Sequence, residues 1–311
     1  MKVSLVIPVY YNEGNLMPLY EDIKKKFIDV IDYDYELVFV NDGSKDKSWD
    51  VIKEIAQKDS HVRIYSLSRN FGAHAATLCG LAKSTGDCAI VKSADLQEPT
   101  ELLHEMIAAW QKGNNVVLAV RNGRDESKRR IFFANSYYKL VQKTAFPQMP
   151  DQGFDVFLVD RKVVEVLNAL DEKNSSVTAQ VLWSGFKTEK VYYRRLAREI
   201  GTSKWTLRKK IRLVMDTLFG FTSLPITVVL NVGVFSMIGA VIWAIIVLIG
   251  KLTGNISTDG WTSLFIFNLF SFGVTMMTLG ILGEYLWRTF DASRNRPPYI
   301  IEESNEEKGN R

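Results

Sequence analysis

The chain has little with which to build a zinc centre or a disulfide, carrying two cysteines and three histidines among 311 residues. Cys79 and Cys88 fall on a predicted helix and a predicted strand without metal-ligand spacing, which reads as two small core residues in a reducing compartment, with no disulfide. His61, His74 and His104 are too scattered to share a metal. No G-x-G-x-x-G follows the first apolar run and no G-x-x-x-x-G-K-[ST] occurs anywhere, so neither a dinucleotide dehydrogenase nor a P-loop NTPase fits. The N-terminus, MKVSLVIPVYYNEGN, has too short an apolar run for a signal peptide, and residue 1 is expected to start the fold.

Charge is missing in two long stretches. Thr217 to Gly250 and Gly260 to Gly283 contain no Asp, Glu, Lys, Arg or His. A membrane-spanning helix needs about 20 such residues, so two transmembrane helices are predicted. A buried soluble helix is the alternative; the length of the runs, with Trp243, Trp261 and Trp287 in them or at their edges, disfavours it. Just before them, Leu207, Ile211, Val214, Met215 and Leu218 recur at helical spacing against Arg208, Lys209, Lys210 and Arg212, the pattern of an interfacial helix. The Lys251 to Asp259 loop is neutral while basic residues flank the outer ends of the pair, so the positive-inside rule puts both termini in the cytosol. These boundaries divide the chain into a cytosolic domain at 1–200, an amphipathic juxtamembrane helix at 201–222, two transmembrane helices at 223–287 and a cytosolic tail at 288–311. The tail, ending IIEESNEEKGNR, is expected to be disordered at its end.

The first 120 residues alternate apolar strands, near Val3 to Ile7, Leu37 to Val40, Val62 to Leu67, Cys88 to Val91 and Val116 to Val120, with amphipathic helical stretches. Such alternation means a parallel sheet. The first four strands each end in a polar cluster: Pro8 to Glu13, Asn41 to Ser44, Ser68 to Asn70 and Ser93 to Gln97. In open α/β sheets ligands bind beyond the carboxyl ends of strands. The fourth cluster, in VKSADLQEP, sets Asp95 and Gln97 two residues apart after a strand, where a carboxylate and an amide carbonyl can turn toward one hard cation. The same stretch also reads as a helix start, a cap followed by Pro99 near the first turn.

IPVYYNEGN at Ile7 to Asn15, VNDGSKD at Val40 to Asp46, RNFGAHAA at Arg69 to Ala76, SADLQEP at Ser93 to Pro99 and GTSKW at Gly201 to Trp205 together resemble the family-2, GT-A-type glycosyltransferases. Within that family the chain is most similar to the polyprenyl-phosphate glycosyltransferases, the bactoprenol glucosyltransferase and dolichol-phosphate mannose synthase group, over nearly its whole length. The resemblance implies an α/β GT-A fold, a Rossmann-like, mostly parallel sheet flanked by helices, followed by the interfacial helix and the two transmembrane helices.

It also implies roles. Pro8, Tyr10, Glu13 and Asp42 would hold the nucleotide, Asp42 accepting the imide N–H of uracil and Tyr10 offering a ring and a hydroxyl. The alternative for Asp42 is the first residue of an Asp-Gly turn, which explains Gly43 but not the neighbouring polar clusters, so nucleotide binding is favoured. The family's metal motif is usually Asp-x-Asp-x-Gln, whereas this chain has Ser93, Asp95 and Gln97, one carboxylate fewer. Mg²⁺ or Mn²⁺ could still be held by Asp95, Gln97 and the substrate diphosphate. DQGFDVFLVDR at Asp151 to Arg161 resembles the acceptor-side segment with an extra residue and sets Asp155 near the acceptor, as an orienting group or as a strand residue facing solvent.

From 194 to 212 only Glu199 opposes eight cations. With no aromatic stacking platform and a bilayer following, the run reads as a site for anionic lipid rather than nucleic acid, and a solvated face explains several of its members. Arg129, Arg198 and Lys204 are the candidate ligands of a lipid phosphate. The expected activity is transfer of one sugar from UDP-glucose or a UDP-N-acetylhexosamine to polyprenyl (undecaprenyl) phosphate, inverting and metal-dependent, in a multi-pass protein of the inner, cytoplasmic membrane. A homo-oligomer and a downstream flippase are the further implied partners. A processive polysaccharide synthase is disfavoured by two membrane helices and the lack of Q-x-x-R-W; a catalytically silent nucleotide- or lipid-binding relative is favoured only by Ser93.

Overall fold

A computed structural model describes residues 1–122, 128–170, 172, 174–196, 207–253 and 260–306. The chain divides into two compact units, Met1–Thr217 with Arg296–Arg311, and Leu218–Asn295.

The first unit opens as βα repeats: β1 (Lys2–Val9), α1 (Glu13–Lys26), β2 (Asp34–Asn41), α2 (Ser48–Lys58), β3 (Val62–Leu67), α3 (Ala73–Lys83), β4 (Cys88–Val91), α4 (Leu102–Gln111) and β5 (Val116–Arg121). After α5 (Lys128–Thr144) come β6 (Phe154–Asp160), α6 (Arg161–Ala169), α7 (Val177–Trp183) and β7 (Thr188–Tyr193). The strands form one eight-stranded sheet in the order β7-β5-β6-β4-β1-β2-β3-β8, where β8 is Ile301–Ser304. β1 pairs in parallel with β2 and β4, β2 with β3, and β5 with β7; β6 runs antiparallel between β4 and β5. The central strands are buried on both faces, as a parallel sheet between helices demands: Leu5, Val6, Ile7, Leu37, Val38, Phe39, Ala89 and Ile90 are all at 0% exposure.

This is the mostly parallel, helix-flanked sheet the sequence predicts, with its strands where the apolar runs lie. Parallel alignment has one consequence for function. The polar clusters after β1, β2, β3 and β4, together with Arg121 at the end of β5 and the start of antiparallel β6, meet along one edge.

Within the 288–311 segment, Ile301–Ser304 forms an antiparallel edge strand on β3, with Tyr65 opposite Ser304 and Ser66 opposite Glu303. Asn305 accepts the Ile64 N–H at 2.9 Å and donates to the Val62 carbonyl at 2.9 Å. Trp49 Nε1 donates to Glu303 at 2.9 Å, and Glu306 takes Tyr65 Oη at 2.6 Å, Lys83 Nζ at 3.0 Å and the Arg63 guanidinium. Burial opposes ionisation of Glu306, but these three donors outweigh it and hold the carboxyl down at about 2. Residues 307–311, the last of the tail, lie outside the described residues.

Leu207–Phe221 forms α8. The second unit contains α9 (Leu224–Leu252, 29 residues) and α10 (Trp261–Ser293, 33 residues). Both are long and apolar enough to cross a membrane, and they leave Phe235, Trp243, Leu252, Phe272 and Leu286 each more than half exposed, as a lipid-facing surface would.

Candidate functional site at the carboxyl edge of the sheet

The β2 end is organised by Asp42, 3% exposed. Its carboxylate accepts the Phe71 N–H at 2.7 Å, the Gly72 N–H at 3.0 Å and Asn70 Nδ2 at 2.8 Å, so it holds the loop between β3 and α3 against the end of β2. The adjacent turn needs glycine twice over: Gly43 has φ +64°, and a Cβ there would collide with the Arg69 and Asn70 backbone. The turn reading of Asp42 is seen directly, and its carboxylate serves as an anchor for the 70–72 loop.

At the β1 end, Tyr11 sits at φ +56° with its N–H on Ser44 Oγ at 3.1 Å, and Asn12 N–H donates to Ser48 Oγ at 2.9 Å. Glu13 accepts the Lys47 N–H at 2.8 Å, so this carboxylate ties the β1 loop to the start of α2. Tyr10 meets the Tyr11 ring edge-on at 4.7 Å, and burial with the nearby Tyr11 and Asp42 raises its phenol. Pro8, opposite Val40 in the β1–β2 ladder, lies two residues before Tyr10. Pro8, Tyr10, Glu13 and Asp42 thus lie at the ends of two adjacent parallel strands.

Beyond β4, Lys92 and Glu98 form a pair that the sequence reading did not single out. Lys92 is 1% exposed; its Nζ donates to the Glu98 carbonyl at 2.7 Å and lies 3.8 Å from the Glu98 carboxylate. Burial lowers Lys92 and raises Glu98. Ser93 Oγ contacts both Asp95 Oδ1, at 2.7 Å, and the Glu98 carboxylate. The Ser93 hydroxyl has a single proton to donate, so at any moment it serves one of these two carboxylates. Gln97 N–H lies 3.3 Å from Asp95 Oδ1, and Leu96, at φ +59°, makes the bend between them.

The other oxygen of Asp95 and the amide oxygen of Gln97 face Arg195. Arg195 Nη2 donates to Gln97 Oε1 at 2.5 Å and stands 3.8 Å from Asp95 Oδ2. The segment is pinned there by backbone, with Leu196 N–H on the Gln97 carbonyl at 2.9 Å and Gln97 Nε2 on the Leu196 carbonyl at 3.3 Å. Burial and the neighbouring Arg121 charge both lower Arg195, against the pull of Glu98 and Asp95. The two oxygens thus look onto one point where a positive group sits, and both are hard donors suited to Mg²⁺ or Mn²⁺. Two protein oxygens are fewer than such an ion needs, and among the described residues no three His, Cys, Asp or Glu stand together, so a cation here would take its remaining ligands from water or from substrate phosphates.

Asp155, on β6, is 59% exposed and ion-paired with Arg121 at the end of β5. The structure therefore joins Asp95, Gln97 and Ser93 in one loop, with Asp155 beside β5. The side chain of Arg129 and residues 198 and 204 lie outside the described residues. Arg195 was legible only as one of eight cations in its run, and Lys92 as a lysine closing an apolar strand.

A profile of the family described as glycosyl transferase family 2 matches residues 4–168. The chain is 37% identical over 304 residues to the putative glycosyltransferase CsbB of Bacillus subtilis (strain 168), covering 97% of this chain and 92% of that protein. It is 34% identical over 306 residues to the SfII prophage-derived bactoprenol glucosyl transferase of Shigella flexneri, covering 98% and 99%. Among solved structures, mannosyl-3-phosphoglycerate synthase from Rubrobacter xylanophilus aligns over 70% of this chain and 72% of its own, with a TM-score of 0.49 at 16% identity.

Proposed function

The chain belongs to glycosyl transferase family 2, and from that membership we propose that it transfers a single sugar from UDP-glucose or a UDP-N-acetylhexosamine to polyprenyl phosphate. It is a glycosyltransferase. The acceptor reading rests on near full-length likeness, both membrane helices included, to proteins named bactoprenol glucosyl transferase. The donor reading is carried by one observation: Asp95 and Gln97, at the carboxyl end of β4, turn their oxygens onto a common positive group.

In this reading Pro8, Tyr10, Glu13 and Asp42 bind the nucleotide, Asp95 and Gln97 face the diphosphate, and Ser93 steadies Asp95 from behind. Arg129, Arg198 and Lys204 receive the lipid phosphate. A divalent cation held by Asp95 and Gln97 supplies Lewis-acid neutralisation of the departing diphosphate. The acceptor needs no strong base, since a phosphomonoester with a second pKa of about 6 is already mostly ionised. Asp155, held by Arg121, orients it for attack opposite the leaving group, which inverts the anomeric centre. Purified protein offered a panel of nucleotide sugars should release nucleoside diphosphate from one UDP-sugar, and only with polyprenyl phosphate present. Equal release without lipid would overturn the acceptor assignment.

The two apolar helices are read as a membrane hairpin, because the chain on both sides of them folds into the same unit and an even number of crossings returns it there. The neutral 251–259 loop between basic flanks supports a cytosolic position for that unit. Cys79 and Cys88 are buried, so an added thiol can be labelled over a low background. Ser257→Cys should react with an impermeant maleimide on intact cells, and Glu302→Cys only after lysis. The reverse pattern would invert the orientation.

A further inference from the structure

Arg195 holds two oxygens that the proposed cation also needs. The same nitrogen, Nη2, reaches Gln97 Oε1 at 2.5 Å and approaches Asp95 Oδ2 at 3.8 Å. The guanidinium therefore stands where the two oxygens converge. A divalent ion at that point and Arg195 in its present place are mutually exclusive, through shared ligands and through repulsion between like charges.

The position is also poorly satisfied. Among the described residues, Arg195 Nε and Arg121 Nε are both buried without a hydrogen-bond partner. These are two guanidinium groups close enough for one charge to act on the other. Arg121 is paired with Asp155, whereas among the described residues Arg195 reaches a neutral amide at 2.5 Å and the Asp95 carboxylate at 3.8 Å, with Glu98 acting on it from nearby. Unmet donors beside a like charge call for an added anion with several acceptor oxygens, and a diphosphate is one.

We propose that Arg195 is a built-in counter-ion of the cation site, bridging Asp95 and Gln97 while donor is absent and exchanging onto the donor diphosphate when a divalent cation takes its place. This rests on the reading of Asp95 and Gln97 as the protein ligands of that cation. The exchange accounts for how a site with one acidic ligand keeps its carboxylate compensated without metal. It also delivers a positive group to the diphosphate, which gains one further negative charge as the sugar departs. Arg195 sits on the segment joined to Gln97 by two backbone-to-loop hydrogen bonds, so only its side chain has to move.

Exchange predicts that removing the charge helps the metal alone and hurts the nucleotide. Mn²⁺ is titrated calorimetrically into the full-length protein in detergent, with and without UDP, for the parent, Arg195→Gln and Arg195→Lys; UDP is titrated with Mn²⁺ present, and uridine serves as the control lacking phosphates. Arg195→Gln should bind Mn²⁺ alone roughly tenfold more tightly and UDP in the presence of Mn²⁺ roughly tenfold more weakly, each about 1.4 kcal/mol, with uridine unchanged. Arg195→Lys, which keeps the charge, should retain the parent's weak binding of Mn²⁺ alone. Because coupling is reciprocal, the factor by which Mn²⁺ and UDP improve each other should fall in Arg195→Gln. Unchanged or weaker Mn²⁺ binding in Arg195→Gln, or equal effects of Gln and Lys, would overturn the exchange and leave Arg195 a loop clasp. Absence of Mn²⁺ binding in all three proteins even with UDP would overturn the cation site itself, and the exchange with it. Thermal unfolding of each variant shows whether a binding change reflects a folded protein.

Discussion

Asp95→Asn should turn over its donor about a thousandfold more slowly than the parent while keeping its thermal unfolding midpoint. The substitution is nearly isosteric. An asparagine oxygen can still accept from Ser93 Oγ and from the Gln97 N–H, the contacts made by Asp95 Oδ1 at 2.7 and 3.3 Å. What it removes is the charge that faces Arg195 and, in the proposed reaction, the cation. Loss of a preorganised electrostatic contact at a developing charge costs roughly a hundred- to a thousandfold in rate, and here it also weakens cation binding, which sets the estimate at the upper end. Asp95 lies in a loop with 14% of its side chain exposed, outside the packed core, so folding should change little. Turnover within threefold of the parent would remove Asp95 from the chemistry.

Asp42→Ala should act through a different route, losing both stability and nucleotide affinity. Three donors, the N–H groups of Phe71 and Gly72 and the Asn70 amide, converge on one buried carboxylate. Truncation leaves them unsatisfied, and an unsatisfied buried donor costs about 1–3 kcal/mol. Allowing for partial rehydration at the sheet edge, the total should be roughly 2–4 kcal/mol, or a fall of about 5–15 °C in the unfolding midpoint for a unit of this size. The freed 70–72 loop borders the proposed nucleotide site, so UDP binding should weaken at least tenfold. An unchanged midpoint together with unchanged UDP affinity would contradict both roles.

The strands and the edge where they end were legible because a parallel sheet buried on both faces writes itself as short apolar runs, each followed by polar loop residues. Asp95 and Gln97 stood out by their spacing after a strand together with their likeness to the family's Asp-x-Asp-x-Gln motif. Strand β8 was not: Ile301–Ser304 is short, half acidic and recruited from 234 or more residues away, so no local periodicity announces it. Its residues are informative only once Arg63, Lys83 and Tyr65 are seen together waiting for a carboxylate. Lys92 was hidden for the opposite reason, since a lysine after an apolar strand ordinarily marks the surface, and only its 1% exposure shows that it is paired inside. Ser93 reads in sequence as a missing metal ligand. In the structure its hydroxyl lies on Asp95 Oδ1, the oxygen not directed at Arg195, where it steadies the remaining carboxylate. Arg195 was submerged in a run of cations that a nearby bilayer explains well enough; what distinguishes it is a pair of acceptors from a loop 98 and 100 residues earlier.

The most direct test follows the sugar. Purified protein in detergent is given a UDP-sugar labelled in the hexose, polyprenyl phosphate and Mn²⁺, and the label is partitioned between water and an organic phase. The account predicts label in the organic phase as one sugar on one lipid phosphate, with the anomeric configuration inverted, and none when either lipid or cation is omitted. Label released into water as free sugar irrespective of lipid, or built into a polymer, would contradict it.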